Sequence, residues 1–114
     1  MTYEWHYVGQ EDEPEFETGW SNKTLNDYNL RFRKTDDGFV VITGAIESTN
    51  NSSSTIFTLP SEYRPEHFLM CQGCKDTFDV INIRIYPDSG NVCPLETIDN
   101  CNLYLNMVFF VGND

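Results

Sequence analysis

The chain lacks long apolar runs, shows almost no helical periodicity and has few basic residues. Seven Lys and Arg stand against eighteen Asp and Glu, which gives a net charge of −11. Nucleic-acid binding requires a basic surface that neutralises phosphates, so this balance argues against a nucleic-acid partner. Because no stretch approaches the length of a membrane span, we expect no membrane insertion. The N-terminus has neither a basic start nor an apolar run, so we expect no signal peptide.

Catalytic patterns are equally scarce. Neither His6 nor His67 has a neighbour in a known motif that would make it a general base. The serines lack the Gly-x-Ser-x-Gly pattern that exposes a nucleophile. The acidic residues do not have the spacing of a calcium-binding loop. We therefore predict a non-enzymatic protein without a cofactor.

Four cysteines, Cys71, Cys74, Cys93 and Cys101, leave three interpretations open. Four thiolates could bind zinc, although the gap between Cys93 and Cys101 is wider than a zinc knuckle uses. Disulfides are the second possibility. Cys71 ends an apolar run, residues 68–71, where a buried thiol behaves as a small hydrophobic side chain. We favour reduced structural cysteines and predict no metal.

Short β-strands separated by turns account for most of the sequence. The alternation of apolar and polar residues predicts strands at residues 30–33, 39–46, 55–59, 67–71, 77–86, 92–95 and 103–111. Gly44 indicates a bulge or a close backbone approach, and a slip of phase at Val80 and Ile81 is typical of a bulge. Pro94 places its strand at a sheet edge. The pattern predicts an all-β fold, an antiparallel β-sandwich of jelly-roll type.

The length of 114 residues predicts one domain with a single core. Residues 1–25 contain only one convincing strand, at residues 4–8, and carry scattered aromatic side chains. We expect this segment to be an extended N-terminal arm that packs on the β-sandwich domain, residues 26–114.

Three segments carry a family resemblance: PEFETGW (14–20), RFRKTDDGFVVITGAI (31–46) and TIFTLPSEYRP (55–65). In that order they resemble the C-terminal domain of many bacteriophage tail-fibre, baseplate and receptor-binding proteins. The likeness covers roughly residues 5–70. Glu62 stands where the family favours glycine, so the turn there either differs or needs no positive φ. Arg64 is expected to pair with an acidic neighbour and support this turn.

This resemblance implies a β-sandwich or jelly-roll module that forms a homotrimer and acts in host attachment, without catalysis. The implied partners are a host cell-surface saccharide and other tail proteins of the virion. The implied location is the virion, at the tail tip or baseplate, after assembly in the host cytoplasm. Two alternatives stay open: a purely structural baseplate or fibre connector without its own ligand, and a carbohydrate-binding module of a bacterial surface protein.

A saccharide site requires aromatic rings for the apolar face of the sugar and polar side chains for its hydroxyls. The predicted ligand-binding residues are Trp20, Asn22, Asp27, Tyr28 and Arg33. For Trp20 the competing interpretation is a buried ring that fixes the arm to the sheet.

Basic residues concentrate at one place, in Arg31, Arg33 and Lys34. Arg31 and Arg33 share one face of their strand because side chains alternate along a strand. If the receptor is an anionic cell-wall polymer, this face is where we expect it to bind.

Overall fold

A computed structural model describes residues 4–22, 28–48, 55–96 and 101–112. The strands in these ranges are β1 (His6–Tyr7), β2 (Trp20–Asn22), β3 (Arg31–Lys34), β4 (Phe39–Ser48), β5 (Phe57–Thr58), β6 (Leu69–Lys75), β7 (Val80–Ile85), β8 (Asn91–Pro94) and β9 (Asn102–Phe110). One turn of 3-10 helix covers Ser61–Tyr63. Within the same ranges, no helix has the length and apolar character that crossing a membrane requires.

All of these strands join one antiparallel sheet that curls into a half-barrel. Its order is β1-β3-β4-β9-β6-β7-β8-β5, and β2 pairs with part of β4. The prediction of an all-β antiparallel fold is confirmed. The finer prediction of a sandwich stays a prediction, because the hydrogen-bonded ladders form one continuous sheet.

The long strands β4 and β9 form the centre of the sheet. They pair without interruption from Phe39 opposite Phe110 to Glu47 opposite Asn102. On its other side β9 pairs with β6, from Gly73 opposite Leu105 to Lys75 opposite Leu103. Strand β9 therefore joins the strands from the first half of the chain to those from the second half.

The concave side of the curled sheet holds one hydrophobic core. Its largest fully buried side chains are Phe32, Phe57, Leu30, Ile42, Ile46, Ile56, Leu59, Ile81, Ile83, Ile85 and Leu103. The N-terminal segment contributes Val8 and Trp20 to this core, and its two strands pair with β3 and β4. The arm thus packs on the rest of the fold as part of the sheet.

Several strand predictions need correction. The strand expected at residues 67–71 begins at Leu69 and continues to Lys75. The strand expected at residues 77–86 begins only at Val80, because Thr77 and Phe78 belong to the turn after β6. The phase slip at Val80 therefore marks the end of a turn rather than a bulge inside a strand. Strand β8 is also not an edge along its whole length, since β5 pairs with it at Asn91 and Val92. Pro94 lies beyond the end of β5, where its missing N–H leaves no ladder bond unmade.

The TIFTLPSEYRP segment is a stiff crossing between β5 and β6. Pro60 caps the 3-10 helix in extended geometry, and Glu62 needs no positive φ. The expectation that Arg64 pairs with an acidic side chain is wrong. Arg64 supports the crossing through backbone carbonyls instead. Its Nε donates to Leu59 O at 2.9 Å, and its Nη1 donates to Asp88 O at 3.0 Å. Arg64 is therefore an architectural residue.

Candidate functional site

The outer face of the sheet is the convex surface formed by the side chains of β3, β4, β9, β6 and β7 that alternate with core residues. Among the described strand residues of this face, Glu47 is the only carboxylate. Three of the seven basic residues of the chain, Arg31, Arg33 and Arg84, lie on it. The outer face is thus locally cationic on a strongly acidic protein.

A depression opens on this face where β6 and β9 separate. The two strands pair only at the Gly73–Lys75 end of β6, and beyond that end the ladder stops. The cavity that results has a volume of about 520 Å³. It is lined by Met70, Cys71, Gln72, Asn82, Asn106, Met107 and Val108. We call this cavity the amide depression, because three of its lining side chains are amides.

The three amides come from three different strands. Gln72 of β6 lies opposite Asn82 of β7, and Gln72 Nε2 donates to Asn82 Oδ1 at 3.4 Å. Asn106 of β9 lies opposite Thr43 of β4. Each amide offers both an acceptor oxygen and donor hydrogens, so these side chains can accept a hydrogen bond from a ligand hydroxyl or donate one to it.

An aromatic and cationic cluster lies next to the amide depression, because Arg84 is the cross-strand partner of Met70, which lines it. Arg84 follows Asn82 by two residues on β7 and so shares its face. The Arg84 guanidinium carbon lies 5.4 Å from the Phe68 ring centre and 5.7 Å from that of Tyr86. Its Nη1 donates to the Tyr86 hydroxyl at 2.7 Å. The Phe68 ring is 47% exposed, so an apolar surface stands free beside the amides.

A second cationic group lies across the sheet on β3. The guanidinium carbons of Arg31 and Arg33 are 3.9 Å and 4.8 Å from the centre of the Trp5 ring. Arg31 also donates to the Tyr7 hydroxyl at 3.3 Å. Stacking on an aromatic ring holds each guanidinium in place while its charge stays available.

Two arginine nitrogens on this face remain unsatisfied. The Nε atoms of Arg33 and Arg84 are buried and have no hydrogen-bond partner in the described part of the chain. A buried donor without a partner costs free energy. Both atoms are covered by the protein itself, so they do not by themselves indicate a ligand.

The sequence-predicted site residues do not gather into one cluster. Trp20 is 5% exposed and packs in the core, which favours the structural interpretation of this ring over a contact with a saccharide. Asn22 Oδ1 accepts the N–H of Leu30 at 3.0 Å and thereby joins two backbone segments. The Tyr28 hydroxyl bonds with Thr43 Oγ1. Asp27 lies outside the described residues.

Of that predicted set, Arg33 is the residue that the structure places on the outer face. Its cross-strand neighbour is Val41 of β4, and Trp5 of the N-terminal segment supports it from above. The structure adds two features to the predicted basic face at Arg31 and Arg33: the ring of Trp5, on which both guanidinium groups stack, and a third arginine on the same outer face, Arg84.

One arrangement has the outline of a catalytic relay. His6 Nδ1 lies 3.1 Å from Glu13 Oε2, and Nε2 lies 2.9 Å from the Tyr63 hydroxyl. Burial, with Glu62 and then Glu13 nearby, raises the pKa of Tyr63 above its usual value. A raised pKa makes the phenol a poorer nucleophile at neutral pH. Both rings pack against Phe32, so the group fastens the N-terminal segment to the core.

The cysteines do not converge. All four are free thiols, in agreement with the favoured interpretation. Cys71 faces the core and Cys74 the outer face, because an odd spacing reverses a side chain on a strand. Cys93 Sγ lies 3.3 Å from Thr55 Oγ1. No group of three or more His, Cys, Asp or Glu that could hold a metal occurs among the described residues. The zinc alternative therefore gains no support.

Sequence reasoning missed the amide depression. Gln72, Asn82 and Asn106 form no motif, and only the strand register brings them together. The available signal was the amide at an outward position in each of three apolar strands, a pattern that an ordinary solvated sheet face also shows.

A scan against protein-family models finds no family that matches this chain, and a search of curated proteins finds no match.

Proposed function

We propose that this chain is a non-enzymatic attachment module of a bacteriophage tail fibre or baseplate, and that it binds a host cell-wall saccharide at the amide depression. The phage assignment depends on the resemblance of residues 14–20, 31–46 and 55–65. The location of the binding site depends on the structure.

The observation that carries the binding proposal is the pairing of the amide depression with an exposed aromatic ring. Gln72, Asn82 and Asn106 offer donors and acceptors for sugar hydroxyls. Phe68 offers a flat apolar surface for the C–H side of a pyranose, and Arg84 beside it can donate to a carboxylate or phosphate. Few anchors of this kind suffice for a specific site.

The test is a calorimetric titration with purified cell-wall polysaccharide from candidate hosts. We expect Asn82→Ala and Phe68→Ala each to weaken binding at least tenfold. Gln10→Ala removes an exposed amide from the N-terminal segment and serves as the matched control, with binding unchanged. Binding that persists in both depression variants but disappears in Arg33→Ala would move the site to the Trp5 group. No binding to any wall fraction would refute the attachment proposal.

The second candidate function is a structural connector within the tail. The observation that favours it is the exposed apolar cluster of Phe39, Val108 and Phe110 on the outer face, with exposed fractions of 40%, 59% and 57%. The rings of Phe39 and Phe110 lie 5.3 Å apart and present one apolar surface. Apolar patches of this kind mark protein contacts, and a homotrimer is the assembly we propose for them.

A further inference from the structure

The hairpin between β6 and β7 has an unusual residue at its tightest position. Lys75 N donates to Asp79 O at 2.8 Å, and Phe78 N donates to Lys75 O at 2.8 Å. These two bonds define a three-residue loop whose last residue takes the left-handed conformation, a position that glycine usually occupies. Here the residue is Phe78, with φ at 72°.

The hairpin between β3 and β4 supplies an internal comparison. Thr35 N donates to Phe39 O at 2.7 Å, and Gly38 N donates to Thr35 O at 3.1 Å, which repeats the same bonding pattern. Gly38 has φ at 89°. The turn between β7 and β8 also ends on a left-handed glycine, Gly90, with φ at 79°. The chain thus uses glycine at this position in two turns and phenylalanine in the third.

Phe78 is unfavourable in the free protein in two separate ways. A bulky residue is strained at positive φ. Its ring is also 89% exposed, the largest exposed fraction among the exposed large hydrophobic residues of the described chain. Val80, exposed to 60%, extends the apolar surface beside it. A strained backbone and an exposed aromatic ring that bring no gain to the fold itself point to a functional position.

The charges around the ring indicate what covers it. Asp76 and Asp79 flank Phe78 at the tip, and Thr77 Oγ1 donates to Asp79 Oδ2 at 3.1 Å. Asn102 Nδ2 donates to Asp76 Oδ2 at 2.8 Å. Each carboxylate keeps an oxygen for an outside donor, and Lys75 at the base is the only cation of the loop. A bilayer with anionic lipid would repel such a tip on a chain of net charge −11.

We infer that the Asp76–Asp79 tip is a docking element for a protein partner, in which Phe78 enters an apolar pocket bordered by Lys or Arg. An aromatic anchor inside a charged rim is the usual form of an interface hot spot. This inference concerns a surface separate from the amide depression and does not depend on the saccharide proposal.

The first measurement asks whether the ring is needed by the fold. Phe78→Gly places at this position the residue that the β3–β4 turn uses, so we expect an equal or higher melting temperature. A melting temperature lowered by several degrees would show that the ring stabilises the chain itself, and the inference would be wrong.

The second measurement identifies the partner. The full chain carrying the photo-crosslinker p-benzoylphenylalanine at position 78, or at position 110 as a control, is irradiated in its native cellular background. The adducts are identified by mass spectrometry. The protein captured only from position 78 is then purified and titrated with wild type, Phe78→Gly and the double variant Asp76→Asn with Asp79→Asn.

We expect Phe78→Gly to weaken that binding at least tenfold, and the charge variant to weaken it at least threefold with a reduced dependence on salt. Vesicles of phosphatidylcholine with phosphatidylglycerol are expected not to bind. Three results would overturn the inference: adducts only with lipid or with a second copy of the chain, no adduct specific to position 78, or an affinity that Phe78→Gly leaves unchanged.

Discussion

Gly44 lies where another part of the backbone crosses β4 at very short range. A Cβ added at Gly44 would lie 2.4 Å from Leu30 Cα and 2.7 Å from Leu30 N. The crossing segment is held there, since Ala45 N donates to Tyr28 O at 2.8 Å. Contacts this short involve backbone atoms, so Gly44→Ala must displace either the strand or the segment. Of the two interpretations that the sequence allows for Gly44, a bulge or a close backbone approach, these contacts support the second.

The expected cost has two parts. Overpacking costs about 1–3 kcal/mol. An alanine at the φ of +152° that Gly44 adopts adds roughly 1–3 kcal/mol of backbone strain. We therefore expect Gly44→Ala to lower the free energy of unfolding by about 2–6 kcal/mol, out of about 5–15 kcal/mol for a typical domain. Urea unfolding followed by tryptophan fluorescence measures this change directly.

Gly112→Ala is the matched control for Gly44→Ala. Gly112 also has a positive φ, of +97°, but no atom lies within 4 Å of the position of its added Cβ. This variant therefore carries backbone strain without a clash, and we expect a loss of about 1 kcal/mol. Equal losses in the two variants would refute the argument that the crossing segment is what requires glycine in β4.

Three further predictions concern titration, reactivity and assembly. Because the pKa of Tyr63 is raised in the folded state, its contribution to stability is complete below the unfolded value near 10.0 and falls as pH rises through the folded pKa; alkaline unfolding midpoints should lose this dependence in Tyr63→Phe. Burial raises the pKa of Cys71, so iodoacetamide should label it more slowly at pH 8 than it labels cysteine in a short unstructured peptide. Equal labelling rates would contradict the burial of Cys71. If a homotrimer packs through the apolar cluster, Val108→Asp should sediment as a monomer of 13.2 kDa. Val80 is exposed on the same face outside the cluster, so Val80→Asp should not change the mass.

Alternation along single strands predicted much of the fold. Leu30 and Phe32 are buried while Arg31 and Arg33 lie outward, as the period of two requires. The sequence also predicted the turn before Phe39, because a glycine after two aspartates suits a left-handed position. The turn before Val80 was missed because Phe78 occupies the corresponding position, and an aromatic residue favours a strand.

The candidate site could not be predicted in the same way because it depends on register. Gln72 and Asn82 are cross-strand partners, but Asn106 reaches the amide depression only because β9 inserts between β4 and β6. Local sequence does not encode which strands become neighbours. Trp20 is the reverse case, a residue that the sequence suggests for a sugar site. An aromatic ring next to polar residues suits such a site, yet the position of Trp20 opposite Ser48 on the inner face places its ring in the core.

The central place of β9 has a consequence for how the chain folds. Strands β1 to β4 and strands β5 to β8 form separate groups of ladders, and among the described strands only β9 pairs with both, through β4 and β6. Each group therefore keeps an open edge until residues 102–110 arrive, which makes the closing contacts long-range and slow to form. During synthesis the two edges stay exposed until residues 102–110 have left the ribosome, and this single strand then pairs with both.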